Sequence, residues 1–497
     1  MTSTGSQTAA HLAAHDKDAG QILTLEVGAM AHGGHCVARY DGRVVFVRHA
    51  IPGEIVNAAV TAGGEDARFW RADTVSVVRP SEFRRSHQWK LADSIRAHAS
   101  GRFPVGGAEF GHITLEHQRR LKAQVFRDTM TRIGKLNVEA PVVGIAEDEP
   151  TGLHWRTRNA FSVTATGRLA MNVHRSATVV PVRNIPLGVR QLDALQLWDI
   201  DFSGAGRVEV ATPAHGEEVL VVIFPLESIA ANKKQLEHHI AQWRKRMIHL
   251  PSKVSVVVGL RAKQFEPLEM VRLRGRTWLS EIVETEKYGT QAFRISGDGF
   301  WQVHRDAPTT LVNAVMEALD AQPGQVIADL YGGAGLFSKF IAGAVGEEGT
   351  VLSVEASPGA SRDARKNLHD QKQARVINGL TDRIIGSWLQ RPEAPIAKGG
   401  LDGRQVDAVV LDPPRAGAGR ATITRIHQLA AEKIVYVSCD PASLARDTKW
   451  LVEHGWEIDE STIYDLFPDT FHMETVTTFR PSAALRQSRT NSGVALE

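Results

Sequence analysis

VIADLYGGAGLF, residues 326–337, reads as a buried strand carrying Asp329 near its end, a turn through Gly332, Gly333 and Gly335, and the start of a helix. Glycines in such a turn permit positive φ and close backbone approach at the carboxyl edge of a strand, where open α/β sheets bind ligands. The pattern recurs outward from this segment. TVLSVEAS (350–357) ends a strand at Glu355, VVLDPPRAGAG (409–419) at Asp412, and KIVYVSC (433–439) at Cys439, with helical segments between and after them. Apolar strands alternating with helices predict a largely parallel, doubly wound sheet over residues 299–485. Glu355 lies twenty residues beyond Gly335, where a carboxylate can accept the ribose hydroxyls of an adenosine cofactor. The turn is not G-x-G-x-x-G and spells out no pyrophosphate cradle, so the residues alone leave S-adenosylmethionine and NAD both open. Pro413 and Pro414 lack N–H groups and have fixed φ, which stiffens the loop that holds Asp412.

Of the two cysteines, only Cys439 falls at this edge; the helix predicted after Asp440-Pro441 would lower its thiol pKa and raise the thiolate fraction. DLFPDTFHMETV (465–476) then supplies His472 and Glu474, either of which has the chemistry of a general base. The pattern does not choose between them.

The rest of the chain divides around this sheet. Residues 1–19 are small and polar and read as a disordered tail. Residues 20–80 alternate short apolar runs with glycine and proline turns, predicting a small antiparallel β-barrel, and carry six basic and six acidic residues. Residues 81–298 read as a mixed α+β domain, with a helix over 115–133 and another around 230–247. Residues 486–497 read as a second polar tail.

The net charge of the 497 residues is only +2, yet residues 151–276 hold 18 basic against 10 acidic residues. A confined surplus of eight fits a phosphate-backbone partner and equally a solvated face balanced by nearby acids, so charge alone leaves nucleic acid open, with 151–190 and 233–276 as the basic stretches that would hold it. Two cysteines exclude a disulfide scaffold, an all-cysteine zinc site and a cysteine-ligated iron–sulfur cluster. No apolar run is long enough to span a membrane and no signal peptide is expected, which points to a soluble, cytoplasmic protein with no membrane partner. His32, His35 and Cys36 are closely spaced without a fourth ligand, so no metal is expected there. Phe69 and Trp70 have the chemistry to stack on bases but are expected to pack the barrel, and His238-His239 is expected at a solvated helix surface.

DLYGGAG, VEAS, LDPPRAGAG, SCDPASLARD and FPDTFHMETV, in this order, resemble the RNA 5-methyluridine methyltransferase family; ISGDGFWQVH (295–304) resembles its cofactor-side segment, and residues 20–80 resemble a TRAM domain. The resemblance covers most of the chain. It implies a TRAM/OB-like barrel, a central RNA-binding domain, and a C-terminal Rossmann-like S-adenosylmethionine-dependent methyltransferase domain. It further implies Cys439 as nucleophile, Glu474 as the base for the C5 proton, and Gln302, Tyr331, Glu355 and Asp412 as the cofactor site, leaving open whether Asp412 also touches the target base. The expected partner is transfer or ribosomal RNA, with no protein partner implied. The chain departs from the family at Asp440, where an asparagine is common, and at Met473, where a valine is common. Many members carry an iron–sulfur cluster on cysteines after the TRAM domain; this chain has none there, so no cluster is expected. The alternative reading is an RNA-binding protein with a degenerate methyltransferase fold. Methylation of an exocyclic amine is disfavoured, because Arg415 stands where such sites carry an aromatic residue.

Overall fold

The computed structural model describes residues 20–491, apart from 65, 146–149, 175 and 261–267. The tail predicted over 1–19 and the basic residues Arg175, Arg261 and Lys263 lie outside the described residues. The second predicted tail is partly ordered: Ala483–Asn491 is a helix, and Arg489 hydrogen-bonds the carbonyls of His427, Ala430 and Ala431.

Six strands between Ile22 and Arg79 form the N-terminal sheet, and their one-sided burial fits the alternating sequence. The sheet is not purely antiparallel as predicted. Arg43–Arg48 runs parallel to Phe69–Arg79, because the intervening strand Ile55–Ala62 pairs antiparallel with the latter from its other side. A central seven-stranded sheet follows, antiparallel except where Val219–Pro225 lies parallel to Val254–Leu260 across the helix Lys233–Arg246. A two-stranded ribbon, Trp278–Thr285 with Gly289–Ser296, leads into the C-terminal region.

The C-terminal sheet has eight strands. In spatial order they are Ala374–Asn378, Thr350–Glu355, Val326–Leu330, Val406–Leu411, Ala430–Ser438, Glu474–Pro481, Trp456–Asp465 and Val142–Gly144. The first five are parallel, and Glu474–Pro481 enters antiparallel to its neighbours on both sides. The last strand comes from the stretch assigned by sequence to the central domain. Three residues are too short to show a period, so only the structure places Val142–Gly144 on this sheet.

The helix Leu115–Thr129 joins the barrel to this sheet. Its buried Leu121, Val125 and Phe126 belong to one continuous apolar core with Val45 and Val56 of the barrel and Tyr436 and Ile463 of the C-terminal sheet. On the same helix, Lys122 donates to Asp465 Oδ1 at 2.5 Å and to the Phe467 carbonyl at 3.0 Å, while Arg119 reaches Asp465 Oδ2 at 3.1 Å. Lys122 and Asp465 are fully buried, so removing the lysine leaves the Asp465 carboxylate to Arg119 and takes the donor from the Phe467 carbonyl, away from water. Lys122→Met is therefore expected to destabilise the fold by roughly 3–5 kcal/mol, read as a lower melting temperature.

Candidate active site

The site is set by strand register. Ser438 lies opposite Thr475 in the antiparallel pair, so the next position outward brings Cys439 to Glu474 although 35 residues separate them in sequence. Thr475 Oγ1 donates to the Ser438 carbonyl at 2.9 Å and pins this end of the ladder. On the other side of the cysteine strand, Leu411 pairs with Tyr436, which puts Asp412 at the same edge. Val326–Leu330 and Thr350–Glu355 come next, carrying Tyr331 and Glu355. Five of the six predicted residues thus end or begin adjacent strands. Gln302, the sixth, is buried in the segment after the ribbon. That segment is tied to the cofactor side through Ser296, whose N–H and hydroxyl both donate to Asp363, at 2.7 Å each, on the helix Pro358–Asn367 that follows Glu355.

Burial governs the ionisation of these groups. Burial first, then the charges of Glu474 and Asp412, pushes the Cys439 thiol up to about 12; Arg415 opposes them. This corrects the expectation of a lowered thiol pKa. The helix Pro441–Glu453 does begin beside the thiol, but its first N–H groups, those of Ala442 and Ser443, donate to the side chain of Asp440. Burial and then Asp412 raise Glu474 well above the usual carboxylate range, while burial and then Asp329 raise Asp412 to about 7. His472 goes the other way: burial, with Arg415, Lys122 and Arg156 nearby, pushes it down to about 3. A histidine that weakly basic is a poor proton acceptor beside a carboxylate whose affinity for protons is raised.

The neighbouring edge fits an adenosine cofactor. Tyr331 takes φ 62°, and Gly333 and Gly335 take 56° and 90°; a Cβ on Gly333 would meet nothing within 4 Å. Tyr331 is held by the hydroxyls of Thr422 and Thr381. Glu355 accepts from the Gly333 N–H at 3.0 Å and the Ser357 N–H at 2.6 Å, so its carboxylate closes the turn. Asp329 hydrogen-bonds Ser338, but its Oδ1 is buried without a hydrogen-bond partner among the described residues. An open glycine turn edged by an acid and an orphaned oxygen is a binding site in search of donors.

Three contributors were not legible in the sequence. Arg415 is the cation whose charge favours the Cys439 thiolate, and its guanidinium lies 3.3 Å from His472 Nε2. Its loop is fixed by Asp447, which accepts from Ala418 N–H at 2.9 Å and from the Tyr436 hydroxyl at 2.8 Å. His32 crosses from the barrel to Asp440 at 3.1 Å. Burial raises the Asp440 carboxyl, but the His32 and Ser443 hydrogen bonds outweigh it and bring the group down to about 2. An asparagine there could cap the helix but could not form this ion pair. Finally, a groove of about 380 Å³ is lined by Arg156, Arg158, Arg207, Phe300 and Trp301. Phe300 is 65% exposed in it, and Arg156 lies close enough to the site to act on His472 and Arg415.

The weaker sequence candidates separate. His32 faces Asp440, Cys36 faces the Ala50 carbonyl, and the His35 ring packs edge-on to Phe46. Trp70 is buried beneath Arg43, whereas Phe69 is 41% exposed with Arg71 over its ring. His238 is exposed on its helix.

Residues 275–480 match the tRNA (uracil-5-)-methyltransferase family model, and residues 17–65 match the TRAM domain. An uncharacterized RNA methyltransferase of Streptomyces coelicolor is 35% identical over 93% of this chain and 94% of its own length. One of Bifidobacterium longum is 32% identical over 92% and 96%. The crystal structure of Pyrococcus abyssi tRNA (uracil-54, C5)-methyltransferase with S-adenosyl-L-homocysteine superposes with a TM-score of 0.62, at 19% identity, over 91% of this chain and 99% of that one. This last likeness is one of fold. No helix among the described residues is long and apolar enough to cross a membrane.

Proposed function

The chain belongs to the RNA methyltransferase family that joins a TRAM domain to a tRNA (uracil-5-)-methyltransferase domain, and from this premise we propose that it forms 5-methyluridine in a structured cytoplasmic RNA through a covalent adduct with Cys439. The observation that carries this reading is the register that brings the Cys439 thiol to Glu474, with Asp412 on the adjoining strand end.

Uracil C5 is too weak a nucleophile to accept a methyl group unaided. Addition of the Cys439 thiolate to C6 forms a C–S bond and moves the C5–C6 electron pair into an enolate, making C5 electron-rich. S-adenosylmethionine, held by Gln302, Tyr331, Glu355 and Asp412, supplies the electrophilic methyl group when bound. Glu474 then takes the C5 proton; the released pair re-forms C5=C6 and the thiolate leaves. Its raised proton affinity makes it the stronger base for this step. To reach this pocket the target base must be unstacked, at a cost of a few kcal/mol that favours loop uridines. The groove of Arg156, Arg158 and Arg207 with Phe300 supplies phosphate contacts and a stacking face on that path.

The test is incubation of the full chain with purified transfer RNA or ribosomal RNA and labelled S-adenosylmethionine, followed by nucleoside mass spectrometry. Label in 5-methyluridine is expected with one of the two RNAs; label on an exocyclic amine, or none, would overturn the proposal. Glu355→Ala is expected to weaken S-adenosylmethionine binding by roughly 10–100-fold in calorimetry, through lost ribose contacts and a loosened turn. Arg415→Leu removes the cation that favours the thiolate, so the thiol pKa rises and less thiolate is present at neutral pH. We expect kcat/KM at pH 7 to fall by about tenfold for each unit of that rise. The loss should shrink as pH increases, and Arg415→Lys should restore part of it. A pH-independent loss would instead mark Arg415 as an RNA contact.

A further inference from the structure

Apart from the residues of the methyl-transfer site, three histidine rings meet in the interior where the barrel abuts the segment that follows it. We propose that His49, His87 and His112 form a binding site for a divalent transition-metal ion of the zinc class. Their ligand nitrogens all lie within 4.8 Å of one another, and their ring centroids form a triangle with sides of 5.9, 6.2 and 6.2 Å. A zinc–nitrogen bond of about 2.0–2.1 Å sets neighbouring imidazole centroids in a tetrahedral shell roughly 5 Å apart. The triangle therefore needs to contract by only about 1 Å.

The orphaned nitrogens carry the argument. His49 and His112 are 4% and 3% exposed, and neither ring nitrogen of either residue has a hydrogen-bond partner among the described residues. The Ala50 carbonyl faces His112 without completing a bond. Each neutral imidazole carries one N–H and one lone pair, and leaving them unmatched in the interior is unfavourable. In His87, Nε2–H donates to the Ala108 carbonyl at 3.0 Å, which fixes the tautomer and leaves the lone pair on Nδ1. That lone pair accepts from the Trp89 N–H at 3.0 Å, the one bond a metal would displace.

The surroundings are built to hold the rings. His49 takes φ 59°, a conformation that a non-glycine residue adopts only when its neighbours impose it, and Arg84 donates to its carbonyl at 2.9 Å. A Cβ at Gly111 would come within 2.5 Å of the His87 ring, so glycine is what admits that ring. The three nearby arginines do not present free positive charge: Arg48 is paired with Asp73, Arg84 with Glu54 and Arg85 with Asp469. Imidazoles select zinc, copper, nickel or iron over calcium or magnesium, and three protein ligands leave one position of a tetrahedral ion open. The three residues come from separate loops 38 and 25 positions apart, so the ion would act as a clasp between the barrel and the helix-bearing segment.

The experiment uses the full chain, prepared without a polyhistidine tag, stripped with a chelator and titrated with zinc chloride alone. One zinc per chain is expected by elemental analysis. At a roughly hundredfold excess over the dissociation constant the melting temperature should rise by about 5–10 °C. Cobalt substitution should give the ligand-field bands of a tetrahedral, nitrogen-ligated ion. In His49→Phe/His112→Phe, affinity should weaken by at least about 100-fold and zinc should no longer move the melting temperature. Substoichiometric zinc, a wild-type melting temperature indifferent to zinc, or equal uptake by the double variant would overturn the site. Should the double variant fail to fold, the wild-type stoichiometry and cobalt spectrum still decide it.

Discussion

Cys439→Ala is expected to abolish methyl transfer, with turnover reduced by about 10⁴-fold or more. Alanine has no electron pair to add to C6, so C5 of the target base never becomes electron-rich, and no other side chain at this edge replaces the lost step. The charged neighbours of Cys439 are three carboxyls and an arginine, and none is a comparable carbon nucleophile. The loss should fall wholly on chemistry. S-adenosylmethionine affinity and RNA affinity, measured by calorimetry and filter binding, should remain within a few-fold of wild type, because the substitution trims one partly exposed side chain at a strand end. If Cys439→Ala still formed 5-methyluridine at a tenth of the normal rate, covalent catalysis through this thiol would be wrong. The alternative of an RNA-binding protein with an inert methyltransferase fold predicts no activity to lose, and wild-type turnover separates the two.

Glu474→Gln is expected to do something different: to begin the reaction and fail to finish it. The amide has nearly the same shape as the carboxyl, so the β-ladder and its Thr475–Ser438 hydrogen bond should survive. It removes a charge that holds the Cys439 thiol up, so addition to C6 should become easier. Once C5 carries both the methyl group and its original proton, no base is in place to take that proton, and the thiolate cannot be eliminated. We expect a protein–RNA species stable to denaturing electrophoresis, formed only with the methyl donor present and absent when Cys439 is also replaced. Product release should drop by about 10²–10⁴-fold, the usual range for a general base. Release of 5-methyluridine at the wild-type rate would transfer the base's role elsewhere. His472, pushed down to about 3, is the weaker candidate to inherit it.

The order of the C-terminal strands and the identities at their ends were readable because each strand is a buried apolar run that stops at a polar residue or a glycine turn. VLSVE, VVLD and KIVYVSC carry their candidate residue at the last position, and VIADL is followed directly by Tyr331. What could not be read was adjacency. Nothing in the sequence says that Glu474–Pro481 inserts antiparallel beside Ala430–Ser438, and it is this insertion that sets Glu474 against Cys439. The thiol's ionisation was misjudged for a related reason. A helix start is visible in Asp440-Pro441, whereas burial and the convergence of Glu474 and Asp412 are products of tertiary packing. His32 against Asp440, Arg415 against His472 and the three-histidine cluster join residues that share no periodicity, so no local pattern announces them.

The unbroken apolar core through the helix Leu115–Thr129 has a mechanical consequence. A barrel tethered by a flexible linker would let its RNA-holding surface wander relative to the reacting thiol, and site choice would depend on affinity alone. Here Leu121, Val125 and Phe126 weld the barrel to the catalytic sheet, and Lys122 is anchored into Asp465. The distance from the barrel's surface to Cys439 is thereby a constant of the molecule, like the gap of a fixed gauge. Under the proposed function, an RNA would be accepted when its own fold offers a uridine at that span, so three-dimensional shape would be measured along with sequence.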